Sequence, residues 1–146
     1  MQEATAAVTV AASPATCYEV ASDIEAYPTW ASDIKEATVL STDGQGRPLE
    51  VRFRAAAMGR STTYVLRYDY SGAPQELRWT QVDGDVTTAL DGHYHFEPVA
   101  GDDTKTEVRY HLEVDLQVPL PGFVKRRAEG RIIHAALDDF QARVES

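Results

Sequence analysis

Asp23-Ile24-Glu25-Ala26-Tyr27-Pro28-Thr29-Trp30-Ala31-Ser32 is the stretch on which the fold turns. It stands between a short opening strand and a long tract of alternating strands that one amphipathic helix closes. Proline cannot continue a helix from within, so Pro28 splits the segment into two short helical pieces joined at an elbow. The rings of Tyr27 and Trp30 flank that elbow and are bulky enough to stopper one edge of a sheet.

Upstream, Ala7-Val8-Thr9-Val10-Ala11-Ala12 alternates with period two and predicts a strand. Ser13-Pro14 then opens a helix: the serine hydroxyl caps free N–H groups, and proline at the first helical position forfeits no hydrogen bond. Cys17, Val20, Ala21 and Ile24 fall at helical spacing and predict its buried stripe.

Downstream the chain reads as strands and tight turns. Ile34 to Leu40 is followed by a turn at Asp43-Gly44-Gln45-Gly46. Leu49, Val51, Phe53 and Ala55 alternate with Glu50, Arg52 and Arg54; beyond Met58-Gly59, Tyr64, Leu66, Tyr68 and Tyr70 alternate with Val65, Arg67 and Asp69. Leu77 and Trp79 precede a turn placed at Asp83-Gly84. Leu90, Gly92, Tyr94 and Phe96 then oppose Asp91, His93, His95 and Glu97. After Gly101-Asp102-Asp103, Val108, Tyr110, Leu112, Val114 and Leu116 oppose Glu107, Arg109, His111, Glu113 and Asp115. Such alternation in successive hairpins predicts an antiparallel sheet with one covered and one wet face.

Val118-Pro119-Leu120-Pro121-Gly122 leads stiffly into the last element, a helix over 122–145 whose Val124, Ala128, Ile132, Ile133, Ala136, Leu137, Phe140 and Val144 keep helical spacing. About 22 residues give roughly 33 Å, enough to cross a sheet. Gly130 inside it predicts a kink or a close approach. The expected architecture is α+β: a seven-stranded antiparallel sheet wrapped around a long C-terminal helix, with two short helices after the first strand. An apolar hollow should lie between sheet and helix.

The 146 residues suit one domain, 1–146, with a core that needs no staples. A net charge of −9 excludes a polyanionic partner such as nucleic acid, which demands a clustered basic footprint. Lys125-Arg126-Arg127 is diluted by Glu129 and reads as a solvated helix face. Cys17, the single cysteine, excludes an internal disulfide and suits a reducing compartment. No leader pattern opens the chain, and no run approaches the ~18 apolar residues that span a bilayer. The expectation is a soluble, cytoplasmic protein without integral membrane association.

Four passages carry a resemblance to a known family. They are Val8-Thr9-Val10-Ala11-Ala12-Ser13-Pro14, Asp23-Ile24 with Tyr27-Pro28 and Trp30, Gly92-His93-Tyr94-His95-Phe96-Glu97-Pro98, and Val118-Pro119-Leu120-Pro121-Gly122-Phe123. Together they resemble the START-related, or SRPBCC, helix-grip superfamily, nearest its bacterial polyketide cyclase/dehydrase and coenzyme-Q-binding branch. The resemblance implies that fold and a hydrophobic cavity. It leaves function open, because the superfamily includes lipid carriers, hormone binders and aromatic cyclases.

Alternation puts Tyr64, Tyr68, Tyr94 and Tyr110 on the covered face, where each hydroxyl needs a partner. A solid core favours Phe and Leu, so four tyrosines point to a ligand cavity. Its lining is expected from Phe53, Tyr64, Tyr68, Trp79, Tyr94, Tyr110, Ile133 and Phe140, with a mouth near Tyr27, Trp30 and Met58. His93, His95 and His111 share the wet face; with 93 placed opposite 109 and 91 opposite 111, each has a charged or polar neighbour, and no metal is expected. No nucleophile elbow, phosphate-cradling loop or dinucleotide fingerprint occurs, and Cys17 lies on a buried stripe. Arg52, Arg54 and Arg67 fall outward, and no buried carboxylate is evident. The favoured reading is a non-catalytic binder of a lipid, polyketide or isoprenoid-like molecule, without cofactor. The alternatives are a cyclase or dehydratase using Tyr64, Tyr68 or Tyr94 for proton transfer, and a small regulatory or toxin-like interaction protein of unknown protein partner.

Overall fold

The computed structural model describes residues 2–57, 60–117 and 121–146. Strand β1 (Gln2–Val10) leads into helix α1 (Pro14–Ser22) and a 3₁₀ helix (Ile24–Thr29). Six strands follow: β2 (Ile34–Thr42), β3 (Pro48–Ala57), β4 (Arg60–Asp69), β5 (Glu76–Gly84), β6 (Thr87–Val99) and β7 (Asp102–Leu116). Helix α2 (Gly122–Val144) closes the chain. All pairings are antiparallel, in the order β1-β7-β6-β5-β4-β3-β2. This is the helix-grip α+β architecture that the alternation and the long terminal helix predict.

The elbow forms as the residue types dictate. Ser13 Oγ accepts from the Thr16 N–H at 3.2 Å, with Pro14 at the first helical position. The Tyr27 hydroxyl donates to the Ala21 carbonyl, which folds the 3₁₀ helix back onto α1. Trp30 packs edge-on to Tyr27 with ring centroids 5.1 Å apart. Cys17, Ala21 and Ile24 are buried, whereas Val20 is half-buried.

Helix α2 packs on β7, β1 and α1. Its buried stripe is Glu129, Ile133, Leu137, Phe140 and Val144. Phe140 is fully buried beneath Tyr94 (ring centroids 5.0 Å), Trp30 (6.0 Å) and Phe96 (6.0 Å). With the helix seated against β1 and β7, part of the inner face of β3, β4 and β5, including Phe53, Tyr64, Leu66, Tyr68 and Trp79, fronts a cavity. Gly92 serves that arrangement. A Cβ there would stand 2.4 Å from the His111 carbonyl oxygen and 2.8 Å from Trp79 Cζ2, so only glycine lets the indole lie across β6.

Two local expectations are corrected and a third is narrowed. The β5–β6 turn falls at residues 85–86 rather than Asp83-Gly84, because β5 runs on to Gly84. The β6–β7 hairpin pairs His93 with His111, His95 with Arg109 and Asp91 with Glu113, two residues from the expected register. Its tip carries a shift between Pro98 and Val99 and a left-handed Gly101 at φ 80°, which together reset the count. Gly130 makes no close approach, since nothing lies within 4 Å of where its Cβ would be.

Candidate ligand cavity

A cavity of about 150 Å³ lies between the sheet and α2. An engineered void of about that size admits benzene. β3 supplies Phe53, Ala55 and Ala56; β4 supplies Thr62, Tyr64, Leu66 and Tyr68. Trp79, Leu90, Tyr94, Tyr110, Leu112 and Leu116 come from β5 to β7, beside Val86 and Thr87. Tyr27, Trp30, Ala31, Asp33 and Ile34 enter from the elbow, and α2 adds Ile132, Ala135, Ala136 and Asp139. Lining residues that keep solvent exposure mark the mouth. They are Trp30, Ala31, Asp33 and Ile34 at the elbow, Ala56 at the end of β3, Val86 in the β5–β6 turn, and the α2 group.

The structure thus brings Phe53, Tyr64, Tyr68, Trp79, Tyr94 and Tyr110 to one cavity with Tyr27 and Trp30. It places Ile133 and Phe140 elsewhere, in the packed seam between α2 and the sheet. Met58 lies outside the described residues. Sequence reasoning missed Asp33, Asp139, Thr62 and Thr87. For Asp139 a signal existed, because it follows Ile132, Ala135 and Ala136 at seven, four and three positions and so shares their helix face. The two threonine hydroxyls are already engaged: Thr62 donates to Asp85 and Thr87 to Gln81, each at 2.6 Å.

The tyrosines set the chemistry. The Tyr27 hydroxyl is held by Ala21, whereas those of Tyr64, Tyr94 and Tyr110 bond to no other described residue. Burial pushes the phenols of Tyr27, Tyr68, Tyr94 and Tyr110 well above their usual range, and neighbouring phenols add to it. Tyr64 is raised by burial and by the Asp33 carboxylate; outside the cavity, Tyr70 is pushed up to about 12, chiefly by burial. At neutral pH these phenols therefore stay protonated, able to donate a hydrogen bond to a partner but not to act as a base.

The raised phenols have a measurable consequence. A phenol held above its unfolded value of 10.0 costs nothing below that pH. Above it, the unfolded chain ionises first, and stability falls as pH rises toward the folded value. Each such tyrosine withdraws about 1.4 kcal/mol for every pH step of one between its unfolded and folded values. Phenolate absorbance from the cavity tyrosines should therefore appear in one step together with loss of near-ultraviolet dichroism, above pH 10. Smooth titration of all seven tyrosines near their ordinary value, in a protein that stays folded, would contradict the described burial.

Two carboxylates behave differently. Asp139 Oδ2 accepts from the Ser32 N–H (2.9 Å) and Ser32 Oγ (2.8 Å), tying the elbow to α2 at the mouth. Glu129, read from sequence as surface, is 1% exposed, and neither carboxylate oxygen has a partner among the described residues. It lies off the cavity lining, on the packed stripe of α2. On the outer face, His93 stacks on His111 at 5.3 Å, and His111 Nδ1 meets Thr5 Oγ1 at 2.8 Å. Glu3, His111 and Glu113 bring one ligand atom each within 4.8 Å of one another, three where structural zinc takes four. The three β6–β7 histidines are half-buried rather than fully exposed, because β1 and β5 flank them. Among the described residues, no helix is long and apolar enough to cross a membrane.

Comparisons with known proteins agree with this architecture. The family model described as polyketide cyclase / dehydrase and lipid transport matches residues 1–145. A START superfamily protein from Mycobacterium smegmatis shares 28% identity over 98% of this chain and 97% of its own, with a TM-score of 0.89. The Zhui aromatase/cyclase from Streptomyces sp. R1128 shares the fold at 18% identity and a TM-score of 0.82, over 99% of this chain and 93% of its own. A protein from Thermus thermophilus shares it at 21% identity and a TM-score of 0.80, over 98% of this chain and 97% of its own.

Proposed function

The chain belongs to the polyketide cyclase/dehydrase and lipid transport family, and from that premise we propose that it binds a small hydrophobic molecule in the cavity without transforming it. The observation that carries this reading is the lining itself: aromatic and aliphatic walls with the hydroxyls of Tyr64, Tyr94 and Tyr110 left for a guest. Apolar burial at about 25 cal/mol per Å² supplies the affinity, and the phenols orient any carbonyl or hydroxyl the guest carries. A volume of about 150 Å³ suits a ring or a short chain. An extended polyketide would need α2 to move outward.

A cyclase acting through Tyr64, Tyr68 or Tyr94 fits less well. Cyclisation needs a group that removes a proton, and burial keeps these phenols protonated. It also develops negative charge on oxygen, yet no lysine, arginine or histidine is among the lining residues described.

The neutral fluorophore phenylnaphthylamine tests the binding reading. Saturable, equimolar enhancement of its emission is expected, and native mass spectrometry of protein from its own host should show a bound apolar compound. Emission that never saturates, with no co-purifying mass, would leave a surface-interaction protein as the better account.

A further inference from the structure

The cavity is apolar inside, but among the described residues the charged groups on its rim are of one sign. Asp33 and Asp139 both line it, and no cationic side chain does among the described residues. The Asp33 carboxylate is exposed at the start of β2 and makes no hydrogen bond or ion pair with other described residues. Asp139 commits one oxygen, Oδ2, to Ser32 and keeps Oδ1 free. Lys35 stands nearby but donates to the Ser32 carbonyl at 2.8 Å and lies outside the lining.

Aromatic rings run inward from Trp30, which lines the same mouth, as a chain of contacts. Trp30 meets Tyr27 at 5.1 Å, Tyr27 meets Phe53 at 6.1 Å, and Phe53 meets Tyr64 at 5.5 Å. Such rings present negative π faces, which attract a cation within about 6 Å of the centroid. Ring faces and carboxylates therefore favour the same sign of charge. A guest carboxylate would meet like charge in a partly dehydrated mouth, where repulsion is stronger than in bulk water.

We propose that the ligand of this cavity carries a cationic amine head, held at the rim by Asp33 and Asp139, with its apolar body among the interior aromatic rings. The inference rests on reading the cavity as a ligand site and names the class of molecule that site takes. It separates this chain from a carrier of fatty acids or other anionic lipids.

Three guests of matched length and differing only in the head group decide it: phenylbutylammonium, phenylbutanol and phenylbutanoate, each competing with phenylnaphthylamine at neutral pH and low salt. The ammonium should bind about tenfold tighter than the alcohol and the carboxylate about tenfold weaker. The order should narrow as salt is raised, because the rim is exposed. In Asp33→Asn/Asp139→Asn the three affinities should converge toward that of the alcohol. Asparagine keeps an acceptor for Ser32, and Asp33→Asn alone, at an exposed position without a partner, keeps the test open should the double variant misfold. Equal binding of ammonium and alcohol, tighter binding of the carboxylate, or an order that survives both substitutions would overturn the charge selection while leaving a binding cavity. Failure of all three guests, the alcohol included, would remove the cavity reading itself.

Discussion

Ala136→Trp should weaken uptake of a neutral apolar probe at least tenfold while the protein stays folded. Ala136 lines the cavity from a half-exposed turn of α2, so an indole there projects into a void of about 150 Å³ and takes the place of a ring-sized guest. A guest that loses burial equivalent to one aromatic side chain loses about 1.5 to 3 kcal/mol, or roughly 10- to 100-fold in affinity. The helix loses no partner, because the substituted residue is an alanine, and the thermal midpoint should move by only a few degrees. Ala142→Trp, exposed on the same helix, is the matched control and should bind like the wild type. Unchanged affinity in Ala136→Trp, measured by phenylnaphthylamine titration, would mean that the probe sits somewhere other than this cavity.

Phe140→Ala should produce the opposite pattern, a large loss of stability with the cavity walls left in place. The ring is fully buried and packs against Trp30, Tyr94 and Phe96, so it joins the elbow, β6 and α2 in one aromatic cluster. Truncating a buried phenylalanine costs about 3 to 5 kcal/mol, a large part of the 5 to 15 kcal/mol that holds a typical domain together. Urea unfolding should show a lower midpoint with an unchanged slope. A change worth less than about 1 kcal/mol would show that the seam collapses around the missing ring and that α2 is held by other contacts.

Most of the fold could be read because most strands cover one face more than the other. Val108, Tyr110, Leu112, Val114 and Leu116 are all buried, while Glu107, His111, Glu113 and Asp115 between them are half-buried and Arg109 is exposed. The same regularity hides register. Slipping β6 against β7 by two residues leaves every side chain on its face, so the pairing of His93 with His111 is invisible to parity and is decided by the hairpin tip. Helix α2 poses the same difficulty in rotation. Ile132 and Ile133 are equally apolar and stand about 100° apart on the helix, so periodicity alone cannot say which one faces the cavity and which the seam. Glu129 was illegible for a different reason. A carboxylate beside Lys125, Arg126 and Arg127 has the look of a solvated turn, and only the packing of α2 shows it buried on the stripe of Ile133 and Phe140.

The hollow between sheet and helix also affects how the molecule responds to compression. A folded chain that encloses empty space occupies more volume than the same chain unfolded in water, and unfolding shrinks typical domains by about 20 to 100 mL/mol in proportion to the void they lose. This fold therefore yields to hydrostatic pressure sooner than a solid core of its length would. A guest that fills the hollow removes part of that volume difference, so the pressure needed to unfold the protein reports occupancy without any label on the guest.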